Sequence, residues 1–244
     1  AADDRRFFSA PSIVRARDID GSSYDGLLLG SGDITSPNSN ITAQNYFFNI
    51  KDSNIYPKVW GKDEGETPVP PVITKDNLSV IKYSGVAGGD ELSDVAEGSK
   101  LAGWRYELNQ ADAVDGSSDG GEKSLGSAVV INGVVHFNSY TPFAEDYVIK
   151  NGQCVVNQSG NSHYYQLNLN AGTTQYYQKL PNVIAKDLAV HAVSANGASV
   201  LRLLGAGKGD NKTVEGVVIS KGSIDTEVLL APRSTYRYFN EALQ

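Results

Sequence analysis

Three aromatic-led segments recur along the chain at nearly constant spacing: Tyr46-Phe47-Phe48-Asn49-Ile50-Lys51, Trp104-Arg105-Tyr106-Glu107-Leu108-Asn109 and Tyr164-Tyr165-Gln166-Leu167-Asn168-Leu169. Each ends on alternating apolar and polar residues, the period-two pattern of a half-buried strand. Aligned on Ile50, Leu108 and Leu169, they stand 58 and 61 residues apart. A repeat that long, with several short strands per unit, predicts propeller-like repetition rather than one sandwich. The expected fold class is all-β, with about four blades in 244 residues. An open set of blades exposes unpaired edges. The abrupt start at Ala1-Ala2-Asp3-Asp4, with no Met anywhere, therefore reads as a piece of a longer ring. Residues 1–244 are expected to form one propeller portion that needs upstream blades, closing on a basic aromatic tail at 231–244.

Turn chemistry marks the strands. Ser12–Arg17 and Tyr24–Leu29 flank the polar cluster Asp18-Ile19-Asp20-Gly21-Ser22. Ser127–Ile131 and Val134–Asn138 flank Asn132-Gly133, a pair that tolerates the positive φ angles of a type I′ hairpin. Ser9-x-x-Ser12 precedes the first hairpin as Ser124-x-x-Ser127 precedes the second, at an offset of 115 residues. Val69-Pro70-Pro71-Val72 is too proline-rich for a central strand. Residues 85–98 and 111–121 read as acidic surface loops of small residues. No segment keeps a helical period.

Charge and cysteine usage narrow the classes. A net charge of −7 argues against broad nucleic-acid binding, which needs a basic field to displace phosphate counterions. No run approaches the roughly 18 apolar residues of a membrane helix. The single cysteine, Cys154, has no internal disulfide partner and is either a buried thiol or bridged to a residue outside this chain.

Several motifs, in order, resemble one family. They are Phe7-Phe8-Ser9-Ala10-Pro11, Gly30-Ser31-Gly32-Asp33, Tyr46 to Asp52, Gly103-Trp104-Arg105-Tyr106-Glu107-Leu108, and Gly121-Glu122-Lys123-Ser124-Leu125 leading into Val134–Pro142. The set is similar to the C-terminal propeller of the PilC/PilY1 proteins of bacterial type IV pili, from about Phe7 to Gly172. The resemblance implies a modified seven-bladed β-propeller with long loop insertions, of which this chain is the C-terminal half. It also implies export to the cell surface, placement at the pilus tip on minor pilins, and roles in pilus biogenesis and adhesion to a host-cell or surface receptor. The upstream part of the same propeller is a further implied partner. The family's calcium loop falls upstream of this chain, and no Arg-Gly-Asp is present.

Candidate chemistry is sparse. Asp18-x-Asp20-x-Ser22 with Asp25 offers alternating oxygens for calcium, but position five is Ser and the twelfth residue is Leu29 rather than a bidentate Glu. Gly207-Lys208 lacks the upstream Gly and following Ser or Thr of a phosphate loop. His136, His163 and His191 lack ligand spacing, and there is no Gly-x-Ser-x-Gly elbow. Trp60 and Tyr140 are candidate binding anchors, with Asp112, Asp115 and Asp119 as candidate contact residues on an outward loop. Trp104 is expected in the core. Binding rather than catalysis is the expected activity; a quinone-dependent propeller enzyme and a carbohydrate-binding lectin are the alternatives.

Overall fold

The computed structural model describes residues 5–38, 43–55, 72–82, 91–93, 102–108, 121–142, 147–150, 153–156, 160–180, 184–185, 187–195, 198–204, 212–214, 217–219 and 223–229. These residues are all-β, apart from one 3-10 turn at Lys75–Asn77. The first sheet contains β1 (Ser12–Arg17), β2 (Ser23–Gly30), β3 (Tyr46–Asp52), β4 (Ser79–Lys82), β5 (Glu91–Ser93) and β6 (Gly103–Glu107), in the spatial order β1-β2-β3-β6-β4-β5. Its neighbours run antiparallel except β4 and β6, which are parallel. The second sheet contains β7 (Lys123–Ser124), β8 (Val129–Ile131) and β9 (Val134–Thr141). A separate hairpin of β10 (Tyr147–Lys150) and β11 (Gln153–Val156) follows, and β12 (Asn161–Asn168) and β13 (Thr174–Leu180) complete the sheet in the order β9-β12-β13. β7 and β8 share the other edge of β9, at Ser139–Tyr140 and at 134–136. Further on come β14 (Ala189–Ala195), β15 (Ala198–Leu204), β16 (Lys212–Val214), β17 (Val217–Ile219) and β18 (Ser223–Leu229). β14, β15 and β18 form a third sheet, and β16 pairs with β17.

Both predicted hairpins form where their turn residues require. Asn132 and Gly133 take φ of 50° and 77°, the paired positive values of a type I′ turn, and Val129–Ile131 folds back on Val134–His136. In the first hairpin Asp18 N–H donates to Ser22 O at 2.8 Å, and Asp20 Oδ1 accepts from Ser22 N at 2.9 Å. Asp and Ser side chains thus close the turn that joins β1 to β2.

The spacing of 58 residues does not relate successive blades. β3 and β6, which carry the first two aromatic segments, are antiparallel neighbours in one sheet, with Tyr46 opposite Glu107 and Phe47 opposite Tyr106. The excursion through β4 and β5 separates them in sequence only. The 115-residue offset is the one that relates sheets. Ser12 Oγ donates to Ala128 O at 2.7 Å, Ser9 Oγ to Leu125 O at 3.5 Å and Ser127 Oγ to Ala10 O at 3.3 Å, so the two serine motifs run side by side. Each then leads into the same antiparallel meander: β1-β2-β3-β6 in one sheet and β8-β9-β12-β13 in the next.

These two sheets pack face to face. Leu28, Phe47, Trp104 and Tyr106 from the first meet Val135, Phe137, Tyr165 and Leu167 from the second in one buried cluster. Phe47 stacks on Phe137 with ring centroids 3.9 Å apart, Phe137 stacks on Tyr165 at 5.0 Å, and Tyr106 meets Tyr165 edge-on at 5.5 Å. Trp104 lies in this core as expected, its indole N–H donating to Leu169 O at 2.8 Å. On the far face of the second sheet, Ile131 and Tyr164 pack with Leu180, Ala185 and Leu188. Tyr164 and Tyr165 point to opposite faces and both are fully buried, so the second sheet is covered on both sides. Phe137→Ala is expected to cost about 3–5 kcal/mol by the cavity it opens, whereas Tyr176→Ala, at a half-exposed ring that meets Tyr164 edge-on, should cost only about 1 kcal/mol; chemical denaturation measures both.

Candidate functional site

The family-like motifs converge on one junction between the sheets. Ser124 N–H donates to Ser31 O at 3.0 Å, Ser31 Oγ to Asn45 Oδ1 at 3.2 Å, and Asn45 Nδ2 to Glu122 O at 2.9 Å. Gly30 is required there, because a Cβ on it would stand 2.1 Å from the Ser124 side chain. Glu122 is fully buried; its Oε1 accepts from Tyr165 OH at 2.8 Å and from Ser139 Oγ. Burial, reinforced by the Glu122 charge, raises the Tyr165 phenol well above its ordinary value. Lys123 is buried as well and donates to Gly121 O at 2.9 Å. Desolvation pulls its ammonium down to about 8, against the attraction of Asp33. A carboxyl group and an amine this deep need their hydrogen bonds. The junction ties the sheets together.

Two histidines serve the same packing. His163 is buried between Thr141 Oγ1 at 3.0 Å and Tyr177 OH at 2.7 Å. His136 Nδ1 meets Tyr164 OH at 2.7 Å, and burial pushes its imidazole down to about 4. His191 falls on β14 and Cys154 on β11.

The sequence-derived candidates are dispersed. Asp18 pairs with Lys51 Nζ at 3.0 Å, Asp20 closes its own turn, and Asp25 takes a two-pronged bond from Arg15 at 2.8 and 2.9 Å. The Arg15 hydrogen bonds hold the Asp25 carboxyl below its ordinary value. Among the described residues no three His, Cys, Asp or Glu side chains are placed to hold one metal ion. Tyr140 is fully buried; its hydroxyl donates to Asn38 Oδ1 at 2.6 Å and accepts from Gly160 N at 2.9 Å, so it is an internal tie and not a surface anchor. Trp60, Asp112, Asp115 and Asp119 lie outside the described residues, as do most of 85–98 and 111–121; Glu91–Ser93, expected in a loop, instead pairs with β4 as β5.

The feature that sequence reasoning missed is the outer face of the first sheet. Leu27 lies opposite Ile13 and Ile50, and Leu29 lies opposite Phe48, all on the side turned away from the second sheet. Ile13 is 69% exposed there. Phe7, Leu29, Phe48, Ile50, Ile73 and Leu78 line an apolar groove of about 150 Å³. At its side, Arg105 stands opposite Phe48, with its guanidinium 5.2 Å from the Tyr46 ring centroid; Arg5 covers the same ring at 4.7 Å. The only advance signal was the alternation in Tyr46–Ile50, which put Phe48 and Ile50 on one side and Phe47 on the other.

No protein-family model matches the chain. No curated protein matches it in sequence. Among solved structures it is similar to the PilY1 C-terminal domain of Pseudomonas aeruginosa, with a TM-score of 0.51 and 14% identity. The match covers 83% of this chain and 44% of that one. The fold is therefore that of the PilY1 C-terminal domain, in agreement with the ordered motifs. The chain spans less than half the length of the structure it matches. No helix among the described residues is long and apolar enough to cross a membrane.

Two substitutions test the buried groups. Glu122→Ala strips Tyr165 and Ser139 of their acceptor and is expected to cost about 1–3 kcal/mol for each hydroxyl left unpaired, read by denaturant titration. His136 is held neutral in the fold, so the unfolded chain binds its proton first. Its contribution is complete above the unfolded value near 6.5 and is lost as pH falls toward about 4. His136→Phe is expected to flatten the pH dependence of stability across that window, measured by thermal melts.

Proposed function

We propose that this chain is a binding module of an exported, type IV pilus-associated surface protein, acting in adhesion and pilus biogenesis without chemistry of its own. The observation that carries the reading is the contrast between the two sheets. Among the described residues the second is buried on both faces, while on the outer side of the first Ile13 is exposed and Leu27, Leu29, Phe48 and Ile50 are only partly buried, beside an apolar groove. Partly exposed apolar residues gathered on one sheet face favour a docking role. The PilY1-like fold supports the pilus setting, and the motif resemblance supplies minor pilins as the class of partner. The buried Glu122, Lys123 and His136 hold the platform rigid, which suits a module that transmits pulling force.

In this reading the protein sits at fibre tips, seated on minor pilins, and the acidic segments 85–98, which include β5, and 111–121 carry the contact with a host cell or surface. Immunogold labelling of piliated cells of the source bacterium, with antibody against this chain, is expected to place gold at free fibre ends. Gold spread over the envelope without regard to fibres would overturn the pilus setting.

A further inference from the structure

The chain holds no Met and a single Cys, against 13 Tyr and two Trp. Sulfur side chains are common first targets of oxidants, so here an oxidising equivalent falls mainly on aromatic rings. We propose that the cross-strand pair Tyr177 and Tyr165, with His163 and Glu122 as proton acceptors, is a redox site that takes up one-electron oxidants such as carbonate or peroxyl radicals. The resulting radical is held inside the core, away from neighbouring molecules. The site turns over no substrate and acts beside the docking role, independently of it.

A phenol gives up an electron readily when a base within hydrogen-bonding reach takes its proton in the same event. Both members of the pair have such a base. Tyr177 OH lies 2.7 Å from His163 Nδ1, and His163 Nε2 lies 3.0 Å from Thr141 Oγ1. Placing the ring proton on Nε2, toward Thr141, leaves Nδ1 as the acceptor. Tyr165 OH donates to Glu122 Oε1 at 2.8 Å. The two tyrosines stand opposite each other across β12 and β13, with ring centroids 5.3 Å apart. Rings in contact at that distance pass an electron directly. They differ in depth: Tyr177 is only partly buried, whereas Tyr165 and His163 are sealed.

Two steps carry the electron and protons. The oxidant takes one electron from Tyr177 as the phenol O–H bond breaks and its proton passes to His163 Nδ1. The products are a neutral tyrosyl radical, an imidazolium and the reduced oxidant. Tyr165 then gives one electron to Tyr177 and its proton to Glu122, while His163 returns its proton to the Tyr177 oxygen. The net change is one electron lost to the oxidant, with the Tyr165 proton moved to Glu122. Glu122, whose charge acts on Tyr165, becomes neutral in that step. Removing a charge from a buried site is favourable, so Tyr165 is the resting place. Phe137 stacks on it at 5.0 Å and Tyr106 meets it edge-on at 5.5 Å, so the core shields the radical from coupling with a second molecule. A radical on Tyr176, which is 43% exposed, has no such shield and joins to a neighbouring chain through a ring carbon.

The test is flash oxidation of the full chain with photolysed tris(bipyridine)ruthenium and persulfate, read by electron paramagnetic resonance and by the yield of dityrosine-linked dimers on gels. The expected result is a tyrosyl radical that far outlives the radical of free tyrosine. Tyr177→Phe, which keeps the ring, is expected to abolish the long-lived signal and raise the dimer yield. Tyr176→Phe keeps the signal and lowers the dimer yield. Tyr165→Phe leaves a radical on Tyr177 that decays faster, and His163→Gln slows radical formation roughly tenfold or more. Thermal melts check that each variant is folded. Absence of a long-lived tyrosyl signal from the wild-type chain overturns the site, and that measurement stands by itself where a variant does not fold. Equal signals and dimer yields in Tyr177→Phe and Tyr176→Phe overturn it too, as does an unchanged rate in folded His163→Gln.

Discussion

The stacked contact of Phe47 on Phe137 at 3.9 Å sits in the cluster where the two sheets meet, and much of the remaining structure fixes that contact. Aromatic rings alone would slide, because stacking and edge contacts tolerate many offsets. The polar ties remove that freedom. Leu169 O accepts from both Trp104 Nε1 and Asn49 Nδ2 at 2.8 Å, anchoring the β12–β13 turn on the first sheet. At the other end, Ser31, Asn45 and Glu122 form the second tie. An apolar core supplies the free energy of association, and the hydrogen-bonded ends select one register.

Burying Glu122 and Lys123 at this junction costs desolvation that an apolar pair would avoid. The return is specificity of alignment. Glu122 reads the positions of Tyr165 and Ser139 from the second sheet, while its backbone carbonyl reads Asn45 from the first. A sheet displaced by one residue would strand these groups without partners, a penalty that a greasy interface would not impose. The motif residues most suggestive of a ligand site are therefore structural.

Much of the fold was legible because turns and alternation are local. Asn132-Gly133 and Asp18 to Ser22 specify their hairpins through φ preference and side-chain caps within a few residues. The placement of Trp104 in the core followed from size and strand context. The repeat was read at half its true length, since β3 and β6 share a pattern for a different reason: both are central strands buried against the same neighbour, and similar environments select similar residues. The serine motifs carried the correct 115-residue offset, and their direct contact explains why. The candidate site was poorly legible. Asp18 and Asp25 look alike in sequence, yet each is paired with a different base that only the strand pairing brings near.

The sequence by itself determined strand content, the hairpin turns, the aromatic core and a likeness to the PilC/PilY1 propeller, all of which depend on residues close together or on ordered motifs. Which face stays open was decided only by tertiary structure. Phe47 and Phe48 are adjacent and chemically identical, but one ring is sealed under Phe137 and the other lines the outer groove. Alternation says that they face opposite ways. Only the docking of the second sheet, fixed by Glu122, Asn45 and the β12–β13 turn, chooses which side is sealed against it.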